Sequence, residues 1–135
     1  MARRKSSKGA LVRSYAEGIK RKVLERNQES VKRVVGRKSG VYVLSKGDRL
    51  YYVGLSNKLH SRLNHHLDDK HKRQWDRFSF YSIGRKRYLK DIESILTRIA
   101  KPPGNSQKGS FGKNKNLRKR FISEIKKDIL DSFAE

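Results

Sequence analysis

The sequence predicts an α+β domain in which helices flank a small, mainly antiparallel sheet of three strands. Segments with apolar residues at helical spacing alternate with short segments rich in β-branched and aromatic residues. The chain has 135 residues, which suits a single domain with a small core. The expected order of elements is helix, strand, strand, helix, strand, helix, helix.

The N-terminal region is predicted to be a basic tail followed by helices. Residues 1–9 are basic, with serine and glycine, and are expected to be disordered until a partner binds. Residues 10–35 place apolar side chains at helical spacing, which predicts one or two amphipathic helices that end at Gly36. We therefore assign residues 1–38 to a basic N-terminal extension.

The three strands come from the middle of the chain. Residues 40–44 and 50–54 are β-branched and aromatic, and residues 46–49 between them have turn chemistry. Together they predict a β-hairpin. Residues 77–83 alternate enough aromatic side chains to form the third strand. This sheet is the expected centre of the domain.

Three further helices follow from apolar spacing. Residues 57–68 carry leucines at every fourth position, and residues 87–100 place several apolar side chains on one predicted core face, namely Ile92, Ile95, Leu96 and Ile99. Residues 107–135 are predicted to be a basic loop followed by an amphipathic helix at residues 116–132, which we expect to pack on the domain. The chain therefore ends, as it begins, in a basic helical addition.

The charge of the chain indicates a polyanionic partner. Lysine and arginine together number 35 against 13 acidic residues, which gives a formal net charge of +22. The excess runs through all parts of the chain, and a nucleic-acid backbone is the usual partner of such a protein. Solubility alone does not need this much charge of one sign.

Cysteine and hydropathy exclude other classes of protein. The sequence has no cysteine, which rules out disulfides, thiolate metal sites and a cysteine nucleophile. No apolar stretch approaches the roughly 20 residues that span a bilayer, so no membrane association is expected. We expect a cytoplasmic, nucleoid-associated protein.

Two short motifs lie on the predicted hairpin. Residues 40–42 read Gly-Val-Tyr, and residues 52–54 read Tyr-Val-Gly. Arg62 follows on the next predicted helix, and His66 lies one turn beyond it. Glu93 lies on a later helix, and residues 101–105 form a Pro-rich segment that ends in asparagine. In their order and spacing, these elements resemble the GIY-YIG nuclease family over residues 39–106.

The resemblance implies a metal-dependent DNA endonuclease that hydrolyses phosphodiester bonds. Glu93 is the implied ligand of one Mg²⁺ or Mn²⁺ ion per active site, and a hard carboxylate suits such an ion. Arg62 is the implied clamp on the transition state, because a guanidinium holds two phosphate oxygens at once. Tyr42 and Tyr52 are implied to position or activate the attacking water.

The roles of the remaining residues stay open. Tyr52 is favoured as the base and Tyr42 as a positioning group, with ionisation of a phenol below its usual pKa of about 10 near cations. Tyr51 is the rival base, although its side chain is expected on the opposite face of the sheet. His66 is either a proton shuttle or a surface histidine, and Asn105 either pins its loop to the sheet or lies near the metal.

Basic residues, Arg62 among them, are candidates for contact with DNA phosphates. The candidates are Lys58, Arg62, Lys70, Lys72, Arg73, Arg85, Lys86, Arg87, Lys115 and Arg118. The histidines His60, His65 and His71 do not have the spacing of a zinc site. The expected substrate is double-stranded or branched DNA, bound by a monomer or homodimer. The alternative is a non-catalytic nucleic-acid-binding protein built on the same fold.

Overall fold

A four-stranded antiparallel sheet organises the chain in a computed structural model that describes residues 9–106, 109–112 and 114–134. The strands are β1 (Val12–Lys20), β2 (Gly40–Lys46), β3 (Arg49–Ser56) and β4 (Arg77–Ile83). Their order in the sheet is β1-β4-β2-β3, so β3 lies at an edge. The predicted α+β class and the β2–β3 hairpin are confirmed, but the sheet has four strands rather than three. Residues 1–8 of the predicted disordered tail lie outside the described residues.

Four helices cover the two faces of this sheet, namely α1 (Arg21–Arg26), α2 (Gln28–Val35), α3 (Leu59–Asp68) and α4 (Leu89–Ala100). A fifth helix, α5 (Arg118–Ala134), follows them in the chain. Side chains of α1, α2 and α3 pack with Tyr42 and Phe80 on one face of the sheet. Side chains of α4 pack with Val41 and Val53 on the other. Across the described residues, no helix is both long enough and apolar enough to cross a membrane.

The strand β1 corrects the prediction of helix through residues 10–35. Only α1 and α2, in the second half of this segment, are helical. β1 pairs with β4, which would otherwise expose an edge, and this pairing outweighs the helical spacing of Tyr15 and Ile19. Gly18 has a φ of +64° within an irregularity of the pairing between Ala16 and Ile19. That backbone conformation suits a bulged strand and is excluded from the interior of an α-helix.

The burial of α1 gives a prediction about stability. Leu24 is 0% exposed, and its side chain belongs to the same cluster as Tyr42 and Leu63. We expect Leu24→Ala to lower the free energy of unfolding by about 2–5 kcal/mol, as measured by urea denaturation. Val23, its neighbour, is 41% exposed, so Val23→Ala is the matched control and should change stability by roughly 0.5 kcal/mol or less. Equal small effects would show that α1 is not part of the core.

Helix α4 is rotated relative to the prediction. The structure buries Ser94 and Thr97 and leaves Ile95, Leu96 and Ile99 exposed. The loop after α4 explains this, because it crosses the helix on its hydroxyl-bearing face. Ser94 Oγ donates to the carbonyl of Ser110 at 2.9 Å, and Thr97 Oγ1 accepts from the backbone N–H of residue 109 at 3.0 Å. Most of the predicted apolar face is therefore on the surface, and only Ile92 of this face packs against the core.

Helix α5 is exposed along its whole length. Its apolar side chains, including Phe121, Ile125 and Phe133, face solvent. The packing on the domain predicted for this helix is not observed among the described residues. The helix itself was predicted correctly, since its apolar spacing is a local property of the sequence.

Candidate active site

A cavity of about 550 Å³ opens between β3, α3 with the turn that follows it, and the loop after α4. Its lining combines a phenol, cations, imidazoles and a carboxylate, from Tyr52, Arg62, His65, His66, Asp69, Lys70, His71, Gly104, Asn105 and Ser106. Helix α3 presents its polar face here because Leu59 and Leu63 are buried in the core. Four residues predicted to be catalytic, Tyr52, Arg62, His66 and Asn105, thus lie on one cavity.

Tyr42 lies behind this cavity and is fully buried on β2. Its hydroxyl donates to His66 Nε2 at 2.6 Å, and His66 Nδ1 donates to Asp69 Oδ2 at 2.7 Å. We assign these directions because a carboxylate only accepts, which places the proton of a neutral imidazole on Nδ1. Burial raises the pKa of Tyr42, and the neighbouring Tyr52 phenol raises it further. The expectation of a lowered phenol pKa is therefore wrong for Tyr42, which keeps its proton at neutral pH.

The glycine of the second motif has a steric reason. Gly54 pairs with Tyr42 across β2 and β3. A Cβ atom at this position would lie 2.5 Å from the Tyr42 hydroxyl oxygen, so any side chain would displace the ring. The two motifs are thus one packed unit, in which the glycine makes room for the buried phenol.

Arg62 is held by the buried phenol at one end of its guanidinium. Its Nε donates to the Tyr42 hydroxyl oxygen at 3.2 Å. This hydrogen bond raises the pKa of Arg62, and the nearby phenol of Tyr52 also contributes. Among the described residues, the two η nitrogens form no hydrogen bond of standard geometry, although Tyr52 lies close enough to the guanidinium to raise its pKa through a side-chain hydrogen bond. They are the part of the guanidinium that can bind two oxygens of a phosphate.

A β-bulge brings two neighbouring tyrosines to the same histidine. In the β2–β3 pairing, Leu44 lies opposite Tyr52 but Ser45 lies opposite Leu50, which leaves Tyr51 as the extra residue. The Tyr51 hydroxyl lies 2.6 Å from His71 Nδ1, and the Tyr52 ring lies 4.9 Å from the His71 ring, centroid to centroid. The expectation that Tyr51 points to the opposite face is therefore wrong. Its hydroxyl is engaged by His71, whereas Tyr52 lines the cavity beside Arg62.

Asn105 binds the free edge of the sheet. Its side-chain oxygen accepts from the Val53 N–H at 2.9 Å, and its side-chain nitrogen donates to the Val53 carbonyl at 2.8 Å. The amide thus takes the place of a neighbouring strand at this residue. Of the two roles considered for Asn105, these bonds correspond to pinning the loop after α4 against β3.

Glu93 is not among the residues that line the cavity. Its side chain on α4 is 21% exposed, and Glu93 Oε1 lies 3.4 Å from the ammonium of Lys90. No other side-chain hydrogen bond or ion pair of the carboxylate is found in the part of the chain that the structure describes. Because one oxygen is unpartnered and the lysine is highly exposed, the donor chemistry of Glu93 fits a hydrated Mg²⁺ ion.

A second set of metal-binding side chains lies inside the cavity. Ligand atoms of His66, Asp69 and His71 are all within 4.8 Å of one another. Asp69 Oδ1, however, accepts from the His71 N–H at 2.8 Å, and its other oxygen and both nitrogens of His66 are also hydrogen-bonded. A metal ion would have to break these bonds. We therefore interpret the set as a hydrogen-bond network that supports Tyr42 and Arg62.

Sequence reasoning missed Asp69 and His71. Asp69 follows His66 by three residues, which is one turn of a helix, and this spacing was the available signal. His71 follows the end of α3 and reaches the cavity through the turn at residues 69–74. Its spacing excluded it as a zinc ligand, and no local pattern indicated its contact with Tyr51.

The histidines of this network predict a dependence of stability on pH. Burial lowers the pKa of both His66 and His71 from the ordinary value of 6.5. The unfolded chain therefore binds more protons than the folded protein as the pH falls below about 6.5. We expect the free energy of unfolding to be constant above this pH and to fall as the pH drops through the lowered folded values. Urea titrations from about pH 7.5 to about pH 5 measure this.

The control for that experiment is the exposed neighbour of the buried histidine. His66→Gln should reduce the loss of stability in acid, because one of the two groups no longer titrates. His65→Gln should leave the loss unchanged. A protein that becomes more stable on acidification over this range would contradict the assignment of neutral imidazoles.

The structure places the predicted phosphate contacts in several different regions. Lys70 lines the cavity, and Lys58 lies on a depression next to it. Lys72 and Arg73 follow α3 on the surface. The others are exposed and not in the lining of this cavity, namely Arg85, Lys86, Arg87, Lys115 and Arg118.

Comparison with known proteins identifies the fold. The chain is similar to the crystal structure of the GIY-YIG N-terminal endonuclease domain of UvrC from Thermotoga maritima, in a point mutant bound to its catalytic divalent cation. It shares 17% identity with that domain, over 61% of this chain and 99% of that one, with a TM-score of 0.50. The same domain bound to magnesium is 18% identical, over 59% and 98% of the two chains, with a TM-score of 0.49. No family model and no curated protein matches the sequence.

Proposed function

Because this chain has the fold of a GIY-YIG endonuclease domain, we propose that it is a metal-dependent DNA endonuclease. It hydrolyses phosphodiester bonds in the cavity beside α3. One observation carries this proposal. Arg62 is fixed through Nε to a buried phenol, its η nitrogens form no hydrogen bond of standard geometry among the described residues, and the residue lines the cavity beside Tyr52. A guanidinium held in this way can bind the phosphate as charge develops on it.

The tyrosines take different parts in the reaction. Tyr52 is on the lining, so its hydroxyl orients the attacking water or accepts its proton. Tyr42 is buried, protonated and hydrogen-bonded on both sides, so it acts as the positioning group that holds Arg62. His66 has both ring nitrogens engaged, which favours a positioning role over a proton shuttle.

The metal ion is assigned to Glu93. A divalent ion, Mg²⁺ or Mn²⁺ with one ion per active site, supplies charge neutralisation for the phosphate and leaving oxygen when it is bound. A single carboxylate that leaves the other coordination positions to water suits such an ion. One carboxylate oxygen of Glu93 has no partner among the described residues, and α4 packs beside β3, the edge strand that carries Tyr52. Because Glu93 is outside the lining of the cavity, the assignment requires the ion to bind at this edge, where α4 meets β3.

DNA is the proposed substrate because of the charge of the chain. A net charge of +22 favours a phosphate backbone, and the described folded part contains no helix-turn-helix or zinc module that reads sequence. We propose cleavage of double-stranded or branched DNA with little sequence preference, in the cytoplasm at the nucleoid.

The proposal is tested by incubating the purified protein with supercoiled plasmid and with branched duplexes. We expect cleavage in Mg²⁺ or Mn²⁺ and none in EDTA, with the activity co-eluting with the protein through two different columns. The alternative function is a non-catalytic nucleic-acid-binding protein. Tight binding to these substrates without cleavage in either metal would favour that alternative.

A further inference from the structure

A basic groove runs from the candidate active site along the N-terminal extension. The groove has a volume of about 850 Å³ and lies between α2, the turn after α2 and the start of α3. Five basic side chains and one acidic side chain are on its lining, namely Lys32, Arg33, Arg37, Lys38, Lys58 and Glu29. Within the described residues, none of the five cations forms an ion pair.

The groove and the active-site cavity are linked by shared lining residues. A smaller depression of about 310 Å³ lies between them. It shares Lys58 and Ser61 with the groove, and Arg62 and His65 with the cavity. A chain that lies in the groove can therefore continue past Lys58 to the guanidinium of Arg62.

The wall of the groove is fixed to the body of the protein. Gln28 and Asn64 exchange two side-chain hydrogen bonds of 2.9 Å each, which link the start of α2 to α3. His60 Nε2 lies 2.7 Å from the same Gln28 oxygen. Val31 and Val35 are buried in the core, so the basic side chains of α2 face outward. The cations are therefore held on one surface of the folded domain.

The chemistry of the lining selects the ligand. The five cationic side chains repel one another, and the single acidic side chain offsets little of this repulsion. A line of phosphates bound in the groove would neutralise it. Among the described residues, no phenylalanine, tyrosine or tryptophan lines the groove, so it offers no platform on which bases stack. Lysine and arginine side chains that contact phosphates position a duplex without reading its sequence.

We propose that this groove binds the sugar–phosphate backbone of the nucleic acid whose next phosphate lies at Arg62. The proposal rests on the proposed function for the position of the scissile phosphate, but the binding itself does not require catalysis. It gives the N-terminal extension a role, since α2 and the turn after it supply four of the five cations. The basic residues at positions 85–87, predicted as contacts, lie outside this path.

The test compares two variants that lose the same charge. The groove variant carries Lys32→Gln, Arg33→Gln, Arg37→Gln and Lys38→Gln. The control variant carries Lys119→Gln, Arg120→Gln, Lys126→Gln and Lys127→Gln on the exposed helix α5. Binding of a labelled duplex of about 30 base pairs is measured by anisotropy in EDTA, over a series of salt concentrations. Urea unfolding confirms that both variants are folded.

We expect the groove variant to bind at least about tenfold more weakly, with a log–log salt slope shallower by roughly 3–4. The defect should shrink with duplexes too short to reach from Arg62 into the groove. The control variant should keep most of the slope. Equal losses in both variants, or a defect independent of duplex length, would overturn the proposal.

Two further measurements identify the ligand and separate binding from cleavage. Inorganic phosphate should compete only weakly, and saturable binding of phosphate alone that is lost in the groove variant would assign the groove to a small anion instead. Cleavage is measured on the same duplexes in Mg²⁺. If binding depends on the groove but no DNA is cleaved, the groove proposal holds and the nuclease proposal is overturned. If DNA is cleaved and the groove variant binds normally, the nuclease proposal holds and the groove proposal is overturned.

Discussion

Replacing Glu93 with alanine is expected to lower the rate of DNA cleavage by about a thousandfold or more. A catalytic divalent ion contributes several kcal/mol of transition-state stabilisation, and roughly 4 kcal/mol corresponds to this factor. Binding of Mn²⁺, followed by electron paramagnetic resonance, should be lost in the same variant. Affinity for DNA in EDTA should be unchanged, because the substitution removes an acid and not a phosphate contact.

The matched variant for Glu93 is Asp69→Asn, since Asp69 is the carboxylate that lines the cavity. It should keep Mn²⁺ binding and lose only part of the cleavage rate, because the hydrogen bond from His66 Nδ1 can still be accepted by the amide oxygen. The opposite pattern, with Mn²⁺ lost in Asp69→Asn and retained in Glu93→Ala, would place the ion at His66, Asp69 and His71. It would also overturn the assignment of Glu93.

The second large effect is expected at Arg62. Arg62→Ala should lower the cleavage rate by about a hundredfold to a thousandfold, because it removes donors aimed at the charge that develops on the phosphate. DNA affinity should fall only slightly, because the substitution removes one of several phosphate contacts. Arg62→Lys should also be strongly impaired, since an ammonium cannot both donate to Tyr42 and hold two phosphate oxygens.

Lys58→Ala is the control for this prediction, because Lys58 lies one helical turn before Arg62 on the adjoining depression. It should weaken DNA binding and leave the rate at saturating DNA nearly unchanged. At low DNA concentration, Lys58→Ala should lose binding and cleavage in parallel. If Arg62→Ala behaves in the same way, Arg62 is an anchoring residue and not a clamp on the transition state.

The parts of the fold that the sequence predicted are those with strong local patterns. The β2–β3 hairpin, β4 and α3 follow from alternating or helical apolar spacing within one short segment. Strand β1 was missed because its partner β4 is about 60 residues away, and a pairing at that distance leaves no local signal. Gly18 was the one hint against a helix. The rotation of α4 was also missed, because a later loop binds Ser94 and Thr97.

The residues of the candidate site also divide into those that local sequence patterns predicted and those that they did not. Arg62 and His66 share a helix face, so their spacing was enough to place them on one surface. The bulge at Tyr51 was not visible, because one extra residue in a strand changes which side chains meet without changing composition. The basic groove depends on the packing of α2 against α3 through Gln28 and Asn64. No periodicity within either helix indicates that contact.

In the proposed active site, a backbone phosphate lies between the η nitrogens of Arg62 and the hydroxyl of Tyr52. A crystal structure of the Glu93→Ala protein with an uncleaved branched DNA tests this position most directly. We predict a phosphate oxygen about 3 Å from an Arg62 η nitrogen, with Tyr52 beside the phosphorus. A DNA backbone that crosses α4 or α5, with no phosphate in the cavity beside α3, would contradict it.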